Sequence, residues 1–129
     1  MINSNMFNYV NVLSKAADAT WKRNELLTNN IANASTPGYK RKDVEFQTLL
    51  MRQLQGNGSL TQKVANVNLN ALAPTVYTDY SNLSYRLDGN NVDVDTESAN
   101  LAQNQIAHSA LLESMTQEFS RIKTVLSSN

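Results

Sequence analysis

Residues 94–126 read VDTESANLAQNQIAHSALLESMTQEFSRIKTVL, and the spacing inside this stretch decides the fold. Val94, Ser98, Leu101, Gln105, His108, Leu112, Met115, Phe119, Ile122 and Leu126 follow one another in alternating steps of four and three. Positions recurring about every 3.5 residues lie along one seam of a helix, and an apolar seam needs a partner helix. The other end of the chain repeats the pattern through Met6, Val10, Leu13, Ala17, Thr20, Asn24, Leu27, Ile31 and Ala34. Helices over 6–34 and 94–126 follow, roughly 40 and 50 Å long at about 1.5 Å per residue. The fold class predicted is mainly α, with two long terminal helices paired as an antiparallel coiled coil. A short helix and an irregular insert containing a candidate hairpin separate them.

The punctuation between the rods is readable in part. Pro37 drives Thr36 out of the helical region, and Pro37-Gly38 suits the two central positions of a type II turn. Asp43 is a good N-cap for a short helix over 43–55, with Val44, Phe46, Leu49 and Leu50 as its apolar residues. Gly56-Asn57-Gly58 ends that helix and opens a polar insert over 56–93. Within the insert, 75–80 and 83–87 are rich in Val, Thr and Tyr and read as a small hairpin, which alone is marginal in water. Asp88-Gly89-Asn90-Asn91 reads as a turn, after which Asp93 or Asp95 caps the last helix and Glu97 favours its positive dipole end. Asp18 and Lys22 are spaced for an i,i+4 pair on the first helix. Residues 1–5 and 127–129 are polar, and the first five are expected to fray. The whole chain, 1–129, reads as one rod-shaped domain.

Bulk composition narrows the function. Eleven basic residues balance eleven acidic ones, so no overall field draws nucleic acid or an anionic membrane. The absence of cysteine removes disulfides, thiolate catalysis and thiolate metal sites. No run approaches the roughly 20 apolar residues of a membrane span, so direct membrane insertion is not expected. The Met1–Met6 segment lacks a basic region and an apolar core, so no cleaved secretory signal is expected, which taken alone implies a cytoplasmic protein.

No motif calls for catalysis, cofactor or metal. His108, the only histidine, falls on the seam without a Ser or carboxylate at a catalytic spacing, and a polar seam residue is a register device. Asp88, Asn90, Asp93 and Asp95 resemble a calcium loop, but Val92 and Ala99 stand where oxygen ligands are needed. Lys40-Arg41-Lys42 reads as a solvated or interface patch in a neutral chain. Asn24 and Gln105 interrupt the seams as amides that need partners and so penalise wrong registers. Glu45, Glu97, Glu113 and Glu118 lie on predicted helices with no paired-carboxylate arrangement of the kind a cell-wall hydrolase needs.

One local run remains: Asn29-Asn30-Ile31-Ala32-Asn33-Ala34-Ser35-Thr36-Pro37-Gly38-Tyr39-Lys40-Arg41. Its amides present donor and acceptor groups that suit the loose carbonyls of a helix end or the backbone of a neighbouring chain. The run resembles the signature of the flagellar axial proteins, the rod and hook family. Asp88-Gly89-Asn90-Asn91-Val92-Asp93-Val94-Asp95, with Leu101-Ala102-Gln103-Asn104-Gln105 beyond it, resembles the proximal-rod members of that family. The resemblance covers about residues 5–55 and 84–127.

The resemblance implies a structural, non-enzymatic part of the basal-body rod that assembles through its terminal helices around an axial export channel and transmits torque. It implies export by the flagellar type III apparatus without signal cleavage, and a place in the cell envelope. The implied partners are other rod proteins, the rod-to-ring adaptor, the membrane-ring protein and the export gate. The implied assembly motif is Asn29, Asn30, Asn33, Pro37, Gly38 and Tyr39. The implied helix seam is Val10, Leu13, Leu27, Ile31, Leu101, Leu112, Met115, Phe119 and Ile122. The alternatives are a second proximal-rod subunit and, from another class, a cytoplasmic helical adaptor or chaperone. Because two helices bury only one side of each seam, exposed apolar strips and monomer ends that order on docking are expected.

Overall fold

The computed structural model describes residues 6–83 and 85–128. Helix α1 spans Met6–Ala32 and helix α4 spans Val94–Ser127, 27 and 34 residues. Between them come strand β1 (Lys42–Glu45), helix α2 (Gln47–Gln53), helix α3 (Leu60–Ala65), a 3-10 turn at Leu69–Leu72 and strand β2 (Thr75–Thr78). Residues 1–5, expected to fray, and Asn129 of the polar end lie outside the described residues.

The two rods pack along each other and run antiparallel. Thr20 meets His108 while Asn30 meets Glu97, so advancing along one helix means retreating along the other. On α1 the predicted seam turns inward: Val10, Ala17 and Leu27 are buried, with Leu27 fully so. On α4 the inward column is offset by one residue at every second step. Glu97, Asn104 and Ile122 are buried, whereas Val94, Leu112, Phe119 and Leu126 remain about half exposed. Half of the predicted stripe therefore faces outward; in the first half of α4 the neighbouring inward positions are taken by polar groups, Glu97 bonded to Asn30 and Arg41 and Asn104 bonded to the Thr20 carbonyl.

The centre departs from the sequence reading in two places and helix α1 in a third. Asp43 does not cap a helix; it lies in β1, and the short helix starts only at Gln47, after Phe46 and without a side-chain cap. The 75–80 segment does form a strand, but not a hairpin with 83–87. β2 pairs antiparallel with β1 in the register Lys42↔Thr78, Asp43↔Tyr77, Val44↔Val76 and Glu45↔Thr75. A two-residue loop is not required when packing supplies a better partner, and β1 is already held against α1. Third, Lys22 pairs with Glu25 rather than Asp18. The helical excursion from α2 to the 3-10 turn folds back onto α1 through buried Val64 and Leu72, each burial contributing about 1.5–3 kcal/mol before entropy. Tyr9 and Thr61 add a hydroxyl pair at 3.0 Å. α3 itself opens with a full capping box from Ser59 and Gln62.

Candidate functional site

The 29–41 run and the 88–95 run, far apart in sequence, form one interlocked structure at the end of the helix pair. α1 ends at Ala32 with the Asn33 N–H still bonded to the carbonyls of Asn29 and Asn30. The chain then reverses at Thr36-Pro37-Gly38-Tyr39, a type II turn closed by Tyr39 N–H to the Thr36 carbonyl at 3.2 Å, with Gly38 at φ 72°. That φ is what the third position of such a turn demands and what a side chain disfavours. The 88–91 loop seats on this turn. Gly38 N–H donates to the Asp88 carbonyl at 2.8 Å, and Asn90 Nδ2 donates to the carbonyls of Asn33 and Thr36 at 2.9 and 2.8 Å. Asn90 thereby gives a second donor to two carbonyls of the turn that follows α1, each of which already accepts a backbone N–H. Arg86 adds a bond to the Ala34 carbonyl at 2.8 Å while pairing with Asp88 at 2.9 Å.

Asn91 performs the same service one layer deeper. Its Nδ2 donates to the carbonyls of Asp79 and Ser81 at 2.7 and 2.9 Å, and its Oδ1 accepts from Arg41 N–H at 2.7 Å. Asn30, with no exposed surface, uses its whole amide. Nδ2 donates to the Lys42 carbonyl at 2.8 Å and to Glu97 Oε2 at 3.1 Å, and Oδ1 accepts from Lys42 N–H and the Tyr39 hydroxyl at 3.0 and 3.1 Å. Two donors and two acceptors are all an amide has. Asn29 and Asn33 lie nearer solvent: Asn29 Nδ2 donates to the Tyr39 hydroxyl, and Asn33 Nδ2 donates to the Asn29 carbonyl.

Beside the amides is a charge cluster that the sequence reading did not assemble. Arg41 bonds Glu97 through Nε, Asp43 through Nη2 at 2.9 Å, and approaches Asp79 at 3.5 Å. Arg23 of α1 closes the set on Asp43 at 2.8 Å. Glu97 and Asp43 are both buried. Taking such charges out of water is costly unless each is paired, and here every carboxylate has a cation. Burial alone would raise the Asp43 carboxyl, but hydrogen bonds from Arg23 and Arg41 reverse this and hold it below the usual carboxylate range. The hydroxyl and N–H of Ser81 depress Asp79 in the same direction. Arg41, despite burial, is held charged by Glu97 and Asp43. Burial pushes the Tyr39 phenol up, so it stays a donor to Asn30. Arg41 belongs to a core lock and not to a solvated basic patch, and Glu97 does far more than favour a helix dipole. The alternation Arg41, Asp43 with Asp79 across the ladder was the available signal, since paired residues share a face.

Along the helix pair, His108 Nδ1 lies 2.7 Å from Thr20 Oγ1, with Trp21 stacked at a tilt 5.9 Å away. Asn104, not Gln105, is the buried amide of α4 and donates to the Thr20 carbonyl at 2.7 Å. Asn24 Oδ1 is buried without a hydrogen-bond partner among the described residues. Of the predicted seam, Leu13, Ile31, Leu101 and Met115 are half-buried and Ile122 is buried, while Leu112 and Phe119 are 46% and 52% exposed. Pro37 and Gly38 are exposed at the turn, with Tyr39 half-buried behind them. Among the described residues no group of three His, Asp or Glu could hold a metal, and no helix is long and apolar enough to cross a membrane.

Comparison with known proteins agrees with this layout. Residues 11–40, α1 with its terminal turn, match the family model described as flagella basal body rod protein. Over 124 residues the chain is 40% identical to the flagellar basal body rod protein FlgB of Bacillus subtilis (strain 168), covering 92% of this chain and 90% of that protein. It is 32% identical to FlgB of Escherichia coli (strain K12) over 83% of this chain and 84% of that one. It is 30% identical to FlgB of Borrelia hermsii over 91% of this chain and 94% of that one.

Proposed function

This chain belongs to the FlgB family of flagellar basal-body rod proteins, and from that premise we propose that it enters the rod by the apolar strip its own helix pair leaves open on α4. It is a structural component of the basal body, not an enzyme, and it assembles with other rod components. The single observation carrying the proposal is the column Leu112, Phe119 and Leu126, seven residues apart on one helix face and 46%, 52% and 52% exposed. Seven-residue spacing is what a neighbouring helix reads as a seam. Covering the exposed half of these side chains is worth on the order of 1 kcal/mol each before ordering costs, so the rod needs several such contacts per subunit.

The Asn29–Tyr39 motif serves assembly by fixing the angle at which the insert leaves α1. The finer placement rests on resemblance: the proximal rod, within the cell envelope, around an axial export channel, with torque passing along the helices. The rod-to-ring adaptor, membrane-ring protein and export gate are the proposed neighbours, and export proceeds without signal cleavage.

Phe119→Asp tests the strip, because it sets a charge in the open column without disturbing a buried side chain. Loss of the subunit from purified basal bodies, with a wild-type circular-dichroism melt of the isolated variant, is the expected result. Normal incorporation would remove the strip from the interface.

A further inference from the structure

At two places in this chain a glycine follows a side chain able to close a five-membered imide, Asn57-Gly58 and Asp88-Gly89. The closure needs the glycine nitrogen to reach the side-chain Cγ of the residue before it. Glycine favours that approach, because it carries no Cβ and reaches backbone angles that other residues avoid. The structure treats the two pairs in opposite ways.

Asp88-Gly89 is held. Asp88 Oδ1 accepts from Arg86 Nε at 3.2 Å and from Asn90 N–H at 3.1 Å, and Oδ2 accepts from Arg86 Nη2 at 2.9 Å. The Asp88 carbonyl accepts from Gly38 N–H at 2.8 Å. Its hydrogen bonds from Arg86 keep the carboxyl below the usual range, hence anionic, and an anion is a poor target for a nitrogen nucleophile. Turning Cγ toward Gly89 would break these side-chain bonds.

Asn57-Gly58 is open. Both residues are exposed in the link between α2 and α3. Neither the Asn57 amide nor the Gly58 N–H has a hydrogen-bond partner among the described residues. Gly58 stands at φ 122°, and a Cβ there would come 2.9 Å from Gln62 Oε1, so the Ser59–Gln62 cap favours glycine at this position. Asparagines inside the helices differ, since the N–H that follows them is spent on the helical ladder. Asn90 and Asn91, outside the helices, are each fixed by several bonds of their own amides.

We propose that Asn57 is a self-modification site, at which the folded chain converts asparagine to aspartate and isoaspartate. The Gly58 nitrogen loses its proton to solvent base and forms a bond to Asn57 Cγ. The Cγ–Nδ2 bond breaks, and Nδ2 takes up a proton and leaves as ammonia. Water then opens the imide at one carbonyl or the other, giving an aspartyl or an isoaspartyl link. Either product sets a negative charge between α2 and α3. The isoaspartyl form also lengthens the backbone just ahead of the Ser59 cap.

The test incubates the full-length folded chain in mildly alkaline buffer and follows its proteolytic peptides by mass spectrometry. The peptide holding Asn57 is expected to gain one mass unit and to separate into two chromatographic forms. Its rate should lie within about tenfold of that of a free peptide spanning 53–62, because no bond of the fold has to open first. Every other asparagine should convert more slowly, and Asp88 should form isoaspartate only when urea releases it from Arg86. Asn57→Gln is the blank, since its longer side chain closes a less favoured six-membered ring. A folded-chain rate below that of the peptide by more than about tenfold overturns the proposal. So does conversion of another asparagine ahead of Asn57, or folded Asp88 reacting as fast.

Discussion

Asn30 on α1 holds Lys42 on β1 by both of its backbone groups, accepting its N–H at 3.0 Å and donating to its carbonyl at 2.8 Å. A side-chain amide standing in for a strand joins the long helix to the ribbon, and the same amide touches Glu97 of α4. Three elements therefore depend on one fully buried residue.

Replacing Asn30 by Ala strands the Lys42 groups, the Tyr39 hydroxyl and one Glu97 oxygen. Each buried polar group left unpaired costs about 1–3 kcal/mol, so a stability loss on the order of 3 kcal/mol is expected. Urea titration of the isolated chain measures it, and an unchanged midpoint would show that water replaces the amide freely.

Arg41 and Glu97 behave as a unit. Removing either from a buried pair leaves the other uncompensated, at about 3–5 kcal/mol. The double variant Arg41→Met/Glu97→Leu is expected to be less destabilised than the sum of the two single changes. A double-mutant cycle that returns simple additivity argues against the coupling.

Acid should weaken the lock. Asp43 and Asp79 are both held below the ordinary carboxylate range in the folded chain. Their unfolded counterparts titrate near about 3.9, so below that value the unfolded state binds more protons and stability falls with falling pH. The contribution is fully present above about pH 5 and disappears as pH drops through the depressed folded values. Thermal melts between pH 7 and 3 should show the decline, and Asp43→Asn should flatten it while lowering the plateau. A wild-type slope in that variant would assign the acid sensitivity elsewhere.

The helix pair should not be uniformly stable. The polar bridges between α1 and α4, Thr20 with His108 and Asn104 and Asn30 with Glu97, all lie between Thr20 and Asn30 on one helix and Glu97 and His108 on the other. Beyond Ser109, Ile122 is the only buried residue of α4 among the described residues. Hydrogen exchange in the free chain is expected to be slow around residues 23–31 and 97–105 and fast over 112–126. Uniform protection along α4 would contradict this gradient. It would equally contradict the sequence expectation that the ends of the free chain order on docking.

Much of the architecture was readable because it rests on local rules. The α4 boundaries followed from the heptad spacing and the Asp93 cap, which accepts from Asp95 and Thr96 N–H. The Pro37-Gly38 turn followed from φ restrictions alone. The hairpin misreading has a clear cause: Thr75–Thr78 has strand character, but strand character does not name a partner, and β1 lies more than thirty positions away. The one-residue offset on α4 has a similar origin. Periodicity marks Leu112 and Phe119 as seam residues, and it is blind to which side of the seam the chain's own helix will occupy.

What the sequence determined by itself was everything carried by periodicity and backbone restriction: two long rods, their limits, the reversal after α1 and the family. What only the tertiary structure decided was the pairing of distant polar groups, Arg41 with Glu97, Asn30 with Lys42, Asn90 with the end of α1, and β1 with β2. The physical reason is that an apolar pattern repeats along the chain and announces itself. A buried amide or ion pair is specified by geometry between residues tens of positions apart, and no local spacing records it.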